Sequence, residues 1–224
     1  YLSRDSFFSG VSEGIIGSER ILKMLNVQND RLVVDAKGIY SIEKFLVARR
    51  LMYWQVYLHK TSVAAEKMLT NILKRAKQLA SEGVQLFSTP ALAYFLYNNV
   101  NQQMFVEDNH ALTNFALLDD SDFVSAIKVW ASHDDIVLSE LCKSFTNRRL
   151  FKVEVLGQPI KKSEMSKMIA MYRDHFGITE NEAQYFMGLE VVSTDTYSPE
   201  DENINILYKD GTVKDIADAS DMLN

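Results

Sequence analysis

Arg49, Tyr53, Tyr57 and Lys60 recur at helical spacing. On a helix turning 100° per residue they fall within a sector of about 80°. Phe45, Leu46 and Val56 fall in or beside that sector, while Val47, Leu51, Trp54 and Leu58 populate the opposite side. A helix apolar on both sides is expected to be sandwiched inside a structure, which would bury Arg49. A buried guanidinium needs an anion, either a carboxylate or the phosphates of a ligand. Two tyrosines one and two turns further on offer ring faces and hydroxyls. The set therefore suits a phosphorylated ligand carrying a flat base or a sugar. It equally suits a structural Arg–Asp pair with tyrosine packing. Near the start, Tyr1 and Asp5 lie one helical turn apart with Arg4 beside them. Asp5 is a candidate partner for Arg49, or an acceptor for a sugar hydroxyl.

Other chemistries find little support. The four histidines, His59, His110, His133 and His175, are too far apart in sequence to share a helix face. His133-Asp134 followed by Asp135 reads as a helix start, with carboxylates facing the positive end of the dipole, rather than as part of a metal site. There is no glycine-rich phosphate loop, no G-x-S-x-G and no C-x-x-C. Cys142 lies among Leu138, Leu141 and Phe145 and is expected to be a buried structural thiol.

The 224 residues are 47% hydrophobic and 24% charged, as in an ordinary soluble globular protein with a sizeable core. The net charge of −6 argues against a nonspecific nucleic-acid binder, which needs surplus Lys and Arg. No apolar run approaches the ~20 residues that span a bilayer. With a single cysteine and no basic-then-apolar leader, the expected compartment is the cytoplasm.

The elements that must position these residues are mostly helical. Residues 1–10 read as helical turns stopped by Gly10, and Ser18 as the N-cap of a helix over 19–25. Arg31–Asp35 and Ile39-Tyr40 read as a hairpin turning at Lys37-Gly38. Residues 42–80 contain neither Gly nor Pro and predict one very long helix, or two joined near residues 59–62, ended by Gly83. Pro90 starts a helix to Tyr97, Asp120-Ser121 caps one over 123–131, and Ser132 or His133 starts another through Phe145. Residues 150–156 alternate like a strand, and 161–175 form an amphipathic helix closed by Gly177. Residues 185–192 and 204–208 are strand candidates. The expectation is a mainly α fold, with a helical region over 1–149 and a small α+β appendage over 150–224.

Tyr1-Leu2-Ser3-Arg4-Asp5-Ser6, followed by Gly10, resembles the Y-x-x-R-D segment of the HD-domain deoxynucleoside triphosphate triphosphohydrolases. Ala48-Arg49-Arg50-Leu51-Met52-Tyr53, running on through Val56-Tyr57-Leu58-His59-Lys60, resembles that family's "R-x-x-(M/L)-(Y/H)-x-x-x-Y-x-H-K" helix. The likeness covers about the first 80 residues, and more loosely 117–120 and 148–152. It implies an HD-phosphohydrolase-like helical bundle acting on a deoxynucleoside triphosphate, with Tyr1, Asp5, Arg49, Tyr53 and Tyr57 lining the substrate pocket. Leu58 stands where one vertebrate relative has glutamine, so that relative's base or sugar preference does not carry over.

The family's chemistry is metal-assisted attack of water on the α-phosphate, releasing nucleoside and intact triphosphate. Its H…H-D…D metal signature lies upstream of the Y-x-x-R-D segment, so all four ligands would precede Tyr1. The expectation is thus a C-terminal portion of a larger, metal-dependent and oligomeric enzyme. This chain would hold no catalytic residue and no metal ligand, and would be inactive alone. The competing expectation is a non-catalytic regulatory or oligomerisation module on the same scaffold.

Overall fold

The computed structural model describes residues 1–107, 109–191 and 203–221. The chain divides into two compact units, one formed by residues 1–62 and 191–224, the other by 63–190.

In the first unit, α1 (Leu2–Ser9) ends where Gly10 adopts φ 74°, a left-handed conformation that suits glycine. A 3₁₀ turn over Ser12–Gly14 leads to α2 (Ser18–Met24), in which Ser18 is the first helical residue and Gly17 the N-cap. β1 (Leu25–Gln28) then pairs antiparallel with β2 (Arg31–Asp35). The turn between them is Asn29-Asp30, both at positive φ, as a two-residue hairpin of this hand requires. The hairpin therefore sits earlier than its expected place. Lys37-Gly38 instead belongs to a 3₁₀ turn, and Ile39-Tyr40 opens α3 (Ile39–Met52). Gly38 packs too tightly for a strand turn with side chains, since a Cβ there would lie 2.9 Å from Met24 and from Val34.

α3 does not run on as one helix. A π-helical turn over Tyr53–Tyr57 closes with the Leu58 amide donating to the Tyr53 carbonyl at 2.6 Å, and α4 (Lys60–Ser81) follows. β3 (Asn205–Leu207) pairs parallel with β2 and antiparallel with β4 (Val213–Asp215), giving a four-stranded sheet in the order β1-β2-β3-β4. Val34, Ile42, Leu46, Ile206 and Ile216 form its core. The expected boundary at 149–150 thus differs from the structure: residues 203–221 return to the N-terminal hairpin because Ile206 buries itself against β2 and α3.

The second unit is helical, with α4 at its centre. Met68, Ile72, Ala76 and Leu79 on α4 pack with α5 (Pro90–Tyr97), α8 (Asp120–Trp130) and α9 (Ile136–Thr146) around Trp130, Leu138 and Cys142. α6 (Gln102–Glu107) and α7 (Asn109–Leu117) lie between α5 and α8 in sequence. Pro90 opens α5 as expected, and the half-buried Lys77 ammonium donates to the carbonyls of Phe95 and Asn98 at the far end of that helix. Asp119 and Asp122 form a capping box on α8. α10 (Lys162–Phe176) ends at Gly177, φ 66°. Its Tyr172 and Phe176 stack on Phe186, joining it to the same core rather than to a separate appendage.

Residues 150–156 form no strand. Leu150 and Phe151 pack onto the core while Val155 stays exposed, and no neighbouring strand offers a ladder. Over 185–192, Gln184–Phe186 is a 3₁₀ turn and residues 187–191 are irregular; Val192 lies outside the described residues. The mainly α fold with a small sheet stands.

One buried ion cluster ties this unit together. The Arg75 guanidinium, 5% exposed, donates to both carboxylate oxygens of Asp135, at 3.1 and 2.5 Å, and to Glu182 at 2.9 Å. Asp135 is also the N-cap of α9, accepting from the Leu138 amide at 2.8 Å. Glu182 closes a capping box with Thr179 at the start of α11 (Glu180–Ala183). Burial acts to raise the Asp135 carboxyl, but Arg75 and the Leu138 amide outweigh it and hold the group below its ordinary value. Such a carboxylate stabilises the fold above the ordinary carboxylate range, and that stabilisation is lost as pH falls through the depressed value. Arg75→Met, which strands two carboxylates, is expected to lower unfolding free energy by about 3–5 kcal/mol in urea denaturation. It is also expected to flatten the loss of stability that the parent chain should show as pH falls through the depressed carboxylate values, checked by repeating the denaturation across acid pH.

Candidate functional site

The first unit brings four of the five expected residues, Asp5, Tyr57, Tyr53 and Arg49, into a continuous cluster, which Tyr1 joins through Arg4. The Tyr57 hydroxyl donates to Asp5 Oδ2 in a short hydrogen bond, across 52 residues of sequence. The other carboxylate oxygen, Oδ1, accepts from Arg4 Nε at 2.6 Å. Tyr53 meets Tyr57 edge to face, with ring centroids 5.2 Å apart. Arg49 then sits over Tyr53, its guanidinium carbon 5.6 Å from the ring centroid. Tyr1 joins from the other side, with Arg4 4.9 Å over its ring, although Tyr1 itself is 93% exposed.

The electrostatics follow from these contacts. Arg4 first, then Tyr57, hold the Asp5 carboxyl below its ordinary value, against the smaller opposing effect of desolvation. Burial, reinforced by the hydrogen bond to Asp5, pushes the Tyr57 phenol up to about 12. Asp5 is thus an ionised acceptor and Tyr57 a fixed neutral donor across the physiological range.

Two expectations need correction. Arg49 is exposed, not sandwiched; Val47, Leu51, Tyr53 and Trp54 are each more than a third exposed as well, and the π turn interrupts the straight helix on which the sector argument rested. Asp5 pairs with Arg4 and Tyr57 rather than with Arg49. Among the described residues Arg49 makes no ion pair. Its guanidinium faces solvent with a ring beneath it, an arrangement open to an incoming anion.

The elements around the cluster set its dimensions. Gly10 turns the chain back, and the Ser6 hydroxyl donates to the Val11 carbonyl at 2.6 Å. Gly14 then wedges between α1 and the end of α3: a Cβ there would stand 2.7 Å from the Leu2 carbonyl oxygen, 2.7 Å from Ser6 Cβ and 3.0 Å from Met52 Sδ. Met52 immediately precedes the π turn. A single glycine thus fixes how closely the helix carrying Asp5 approaches the turn carrying Tyr57.

Among the described residues no group of three or more His, Cys, Asp or Glu side chains could hold an ion. His133 and Asp134 do not converge on one; the His133 ring accepts from the Asp135 amide at 2.9 Å, as part of the α9 start. Cys142 is fully buried, and burial pushes its thiol up to about 12. No helix among the described residues is long and apolar enough to cross a membrane.

Comparison with known proteins places the cluster. Residues 16–89 match the HD associated region. Arg49, Tyr53 and Tyr57 lie inside that region, whereas Tyr1 and Asp5 precede it. A crystal structure of a phosphohydrolase from Bacteroides thetaiotaomicron is 55% identical, superposes with a TM-score of 0.88 and matches all of this chain over 56% of its own. YwfO, an uncharacterized Bacillus subtilis protein, is 30% identical over 97% of this chain. The uncharacterized MG461 homolog of Mycoplasma pneumoniae is 27% identical over 78% of it. The chain spans about half the length of these curated relatives, 49% and 42%. The chain thus resembles the HD associated region over residues 16–89 and a phosphohydrolase structure over its whole length.

Sequence reasoning missed Glu13, Gly14 and Gln55, which frame the cluster, and Arg75, the arginine that is buried. Arg75 was within reach: it continues the apolar stripe Met68, Ile72, Leu79 of α4, where a charge implies buried partners. Gly14→Ala is expected to destabilise the chain by about 1–3 kcal/mol, the usual cost of overpacking. Thermal unfolding checks it, with Gly17→Ala, which meets only Arg20 Cβ at 4.0 Å, as the tolerated control.

Proposed function

We propose that this chain is the substrate-clamping portion of an HD-type phosphohydrolase acting on deoxynucleoside triphosphates. The observation that carries the reading is Arg49, a guanidinium over an aromatic ring, one edge contact away from the Tyr57–Asp5 pair, with no carboxylate of its own among the described residues. In this reading Arg49 takes phosphate oxygens as a planar donor fork. Tyr53 keeps the fork oriented. The ionised Asp5 carboxylate accepts from a sugar hydroxyl, and Tyr57 keeps that carboxylate aimed. Tyr1, which covers Arg4, lines the open side.

The likeness of the two sequence motifs to the triphosphohydrolases supports the choice of substrate class, and the phosphohydrolase structure supports the broader reaction type. The divalent ion of the reaction would be held by residues other than those of this chain, and no step through it is assigned to the residues described here.

Binding tests the clamp directly. Titration calorimetry of the 224-residue chain with dGTP, tripolyphosphate and deoxyguanosine is expected to give binding of the first two. Arg49→Ala should weaken both by about tenfold or more, the worth of a hydrogen bond to a charged group, with the melting temperature unchanged. Equal affinities in parent and variant would favour a merely structural arginine.

Turnover tests the division of labour. The purified chain with dNTP and Mg²⁺ or Mn²⁺ is expected to release no triphosphate. Robust metal-dependent release would place the catalytic apparatus within these residues and overturn the assignment.

A further inference from the structure

We propose that Glu13 and Gln55 form a positioning pair that fixes the π-helical turn against α1 and so holds the Tyr57 hydroxyl on Asp5. The inference deepens the site reading above, by naming residues that act on the cluster without belonging to it.

Gln55 is the middle residue of the π turn, two positions from both Tyr53 and Tyr57. Its amide Nε2 donates to Glu13 Oε1 at 3.0 Å, a contact spanning 42 residues. Among the described residues no other side-chain hydrogen bond of Gln55 competes with it. Glu13 is an anchored partner rather than a free loop residue. It lies in the 3₁₀ turn Ser12–Gly14, next to the glycine whose position between Leu2, Ser6 and Met52 leaves no room for a Cβ. The Gln55 amide, followed by the backbone of the turn, holds the Glu13 carboxyl below its ordinary value, so it stands as an ionised acceptor.

The need for such a pair comes from the π turn itself. A π turn carries one residue more than the α ladder accommodates, and π geometry is less favourable than α. Reverting to α register would turn Tyr57 about 100° around the axis relative to α3, away from Asp5. A cross-link from the centre of the turn to the loop that follows Asp5 opposes that reversion on the face where it matters. It acts on Tyr57 through backbone placement and touches neither Asp5 nor any ligand.

The test separates positioning from bulk stability. In the full 224-residue chain labelled with [¹³Cζ]tyrosine, the Tyr57 resonance, assigned by its loss in Tyr57→Phe, reports the hydrogen bond to Asp5. Glu13→Leu and Gln55→Leu are each expected to move it to the position of exposed tyrosines. The exchanged pair, Glu13→Gln with Gln55→Glu, keeps one amide and one carboxylate, can remake the bond with donor and acceptor reversed, and should return the resonance to its parental position. Gln55→Glu alone sets two carboxylates together and should behave like the leucine variants.

An unmoved Tyr57 resonance in the leucine variants would overturn the proposal, as would failure of the exchange to restore it. Circular dichroism identifies any variant that loses helicity as a whole, and the exchanged pair then decides. The dGTP titration is run in parallel. A parent chain that binds no dGTP while Tyr57 still responds to the pair defeats the substrate reading and leaves the positioning role standing.

Discussion

A guanidinium taken out of water must find its charge and its hydrogen bonds inside the protein, and Arg75 organises the helical unit around that requirement. Its two carboxylates do not come from neighbouring turns of α4. Asp135 lies 60 residues away and Glu182 lies 107 residues away. Each carboxylate also terminates a helix: Asp135 caps α9, and Glu182 completes the box that starts α11. One cation therefore fixes the entry points of two helices against a third. Gln78 extends the set, accepting from Arg75 at 3.1 Å and from the Tyr185 hydroxyl at 2.8 Å. Asn71, one turn before Arg75, donates to the carbonyls of Tyr185 and Met187 and holds the chain after α11 on the same face. The apolar core beneath this face supplies most of the burial, while the polar row sets which way each helix starts.

The other unit solves a different problem. Its candidate site needs a residue of α1 and a residue beyond α3 within hydrogen-bonding distance. Close approach comes from the missing side chain of Gly14, and orientation comes from the π turn. Departures from regular helix often mark places where side-chain direction matters more than backbone economy. Here the departure puts Tyr53 and Tyr57 on one wall with Asp5, and leaves Arg49 one ring further out. Glu43, buried on α3, ties the same unit to its last described segment through the Ser220 hydroxyl at 2.5 Å.

Much of this was legible in residue order, for physical reasons that differ by element. Pro90, Gly10, Gly83 and Gly177 mark helix ends because their backbone preferences act locally, and each falls at an end. The absence of Gly and Pro over 42–80 announced helix, but nothing local announces one extra residue per turn, so the break at 53–57 stayed hidden. The hairpin was misplaced because Lys37-Gly38 looks more like a turn than Asn29-Asp30 does. Gly38 is a glycine for a different reason, the close approach of Met24 and Val34. Val153 and Val155 alternate as a strand would, yet alternation specifies a strand only where another strand can pair with it. The partnership of β3 with β2 joins Val34 to Ile206 and has no signal shorter than the fold itself.

The same distinction between local and global signals explains the two arginines. Residue spacing singled out Arg49 correctly as a charge beside tyrosines, and then assigned it the burial that belongs to Arg75. Arg75 has two acidic partners, Asp135 and Glu182, and a ring, Tyr185, at 5.8 Å. Its field is spent inside the protein, and an incoming anion would have to displace a bidentate carboxylate to reach it. Arg49 has a ring as well but remains exposed, so its planar donor fork is held without being neutralised. A cation kept oriented by a π face, beside a carboxylate already neutralised by Arg4, is attractive to an anion from solvent and does not oppose it with a nearby uncompensated negative charge. That contrast, rather than the mere presence of arginine in a motif, is the physical argument for reading the Arg49 cluster as the site and the Arg75 cluster as the frame.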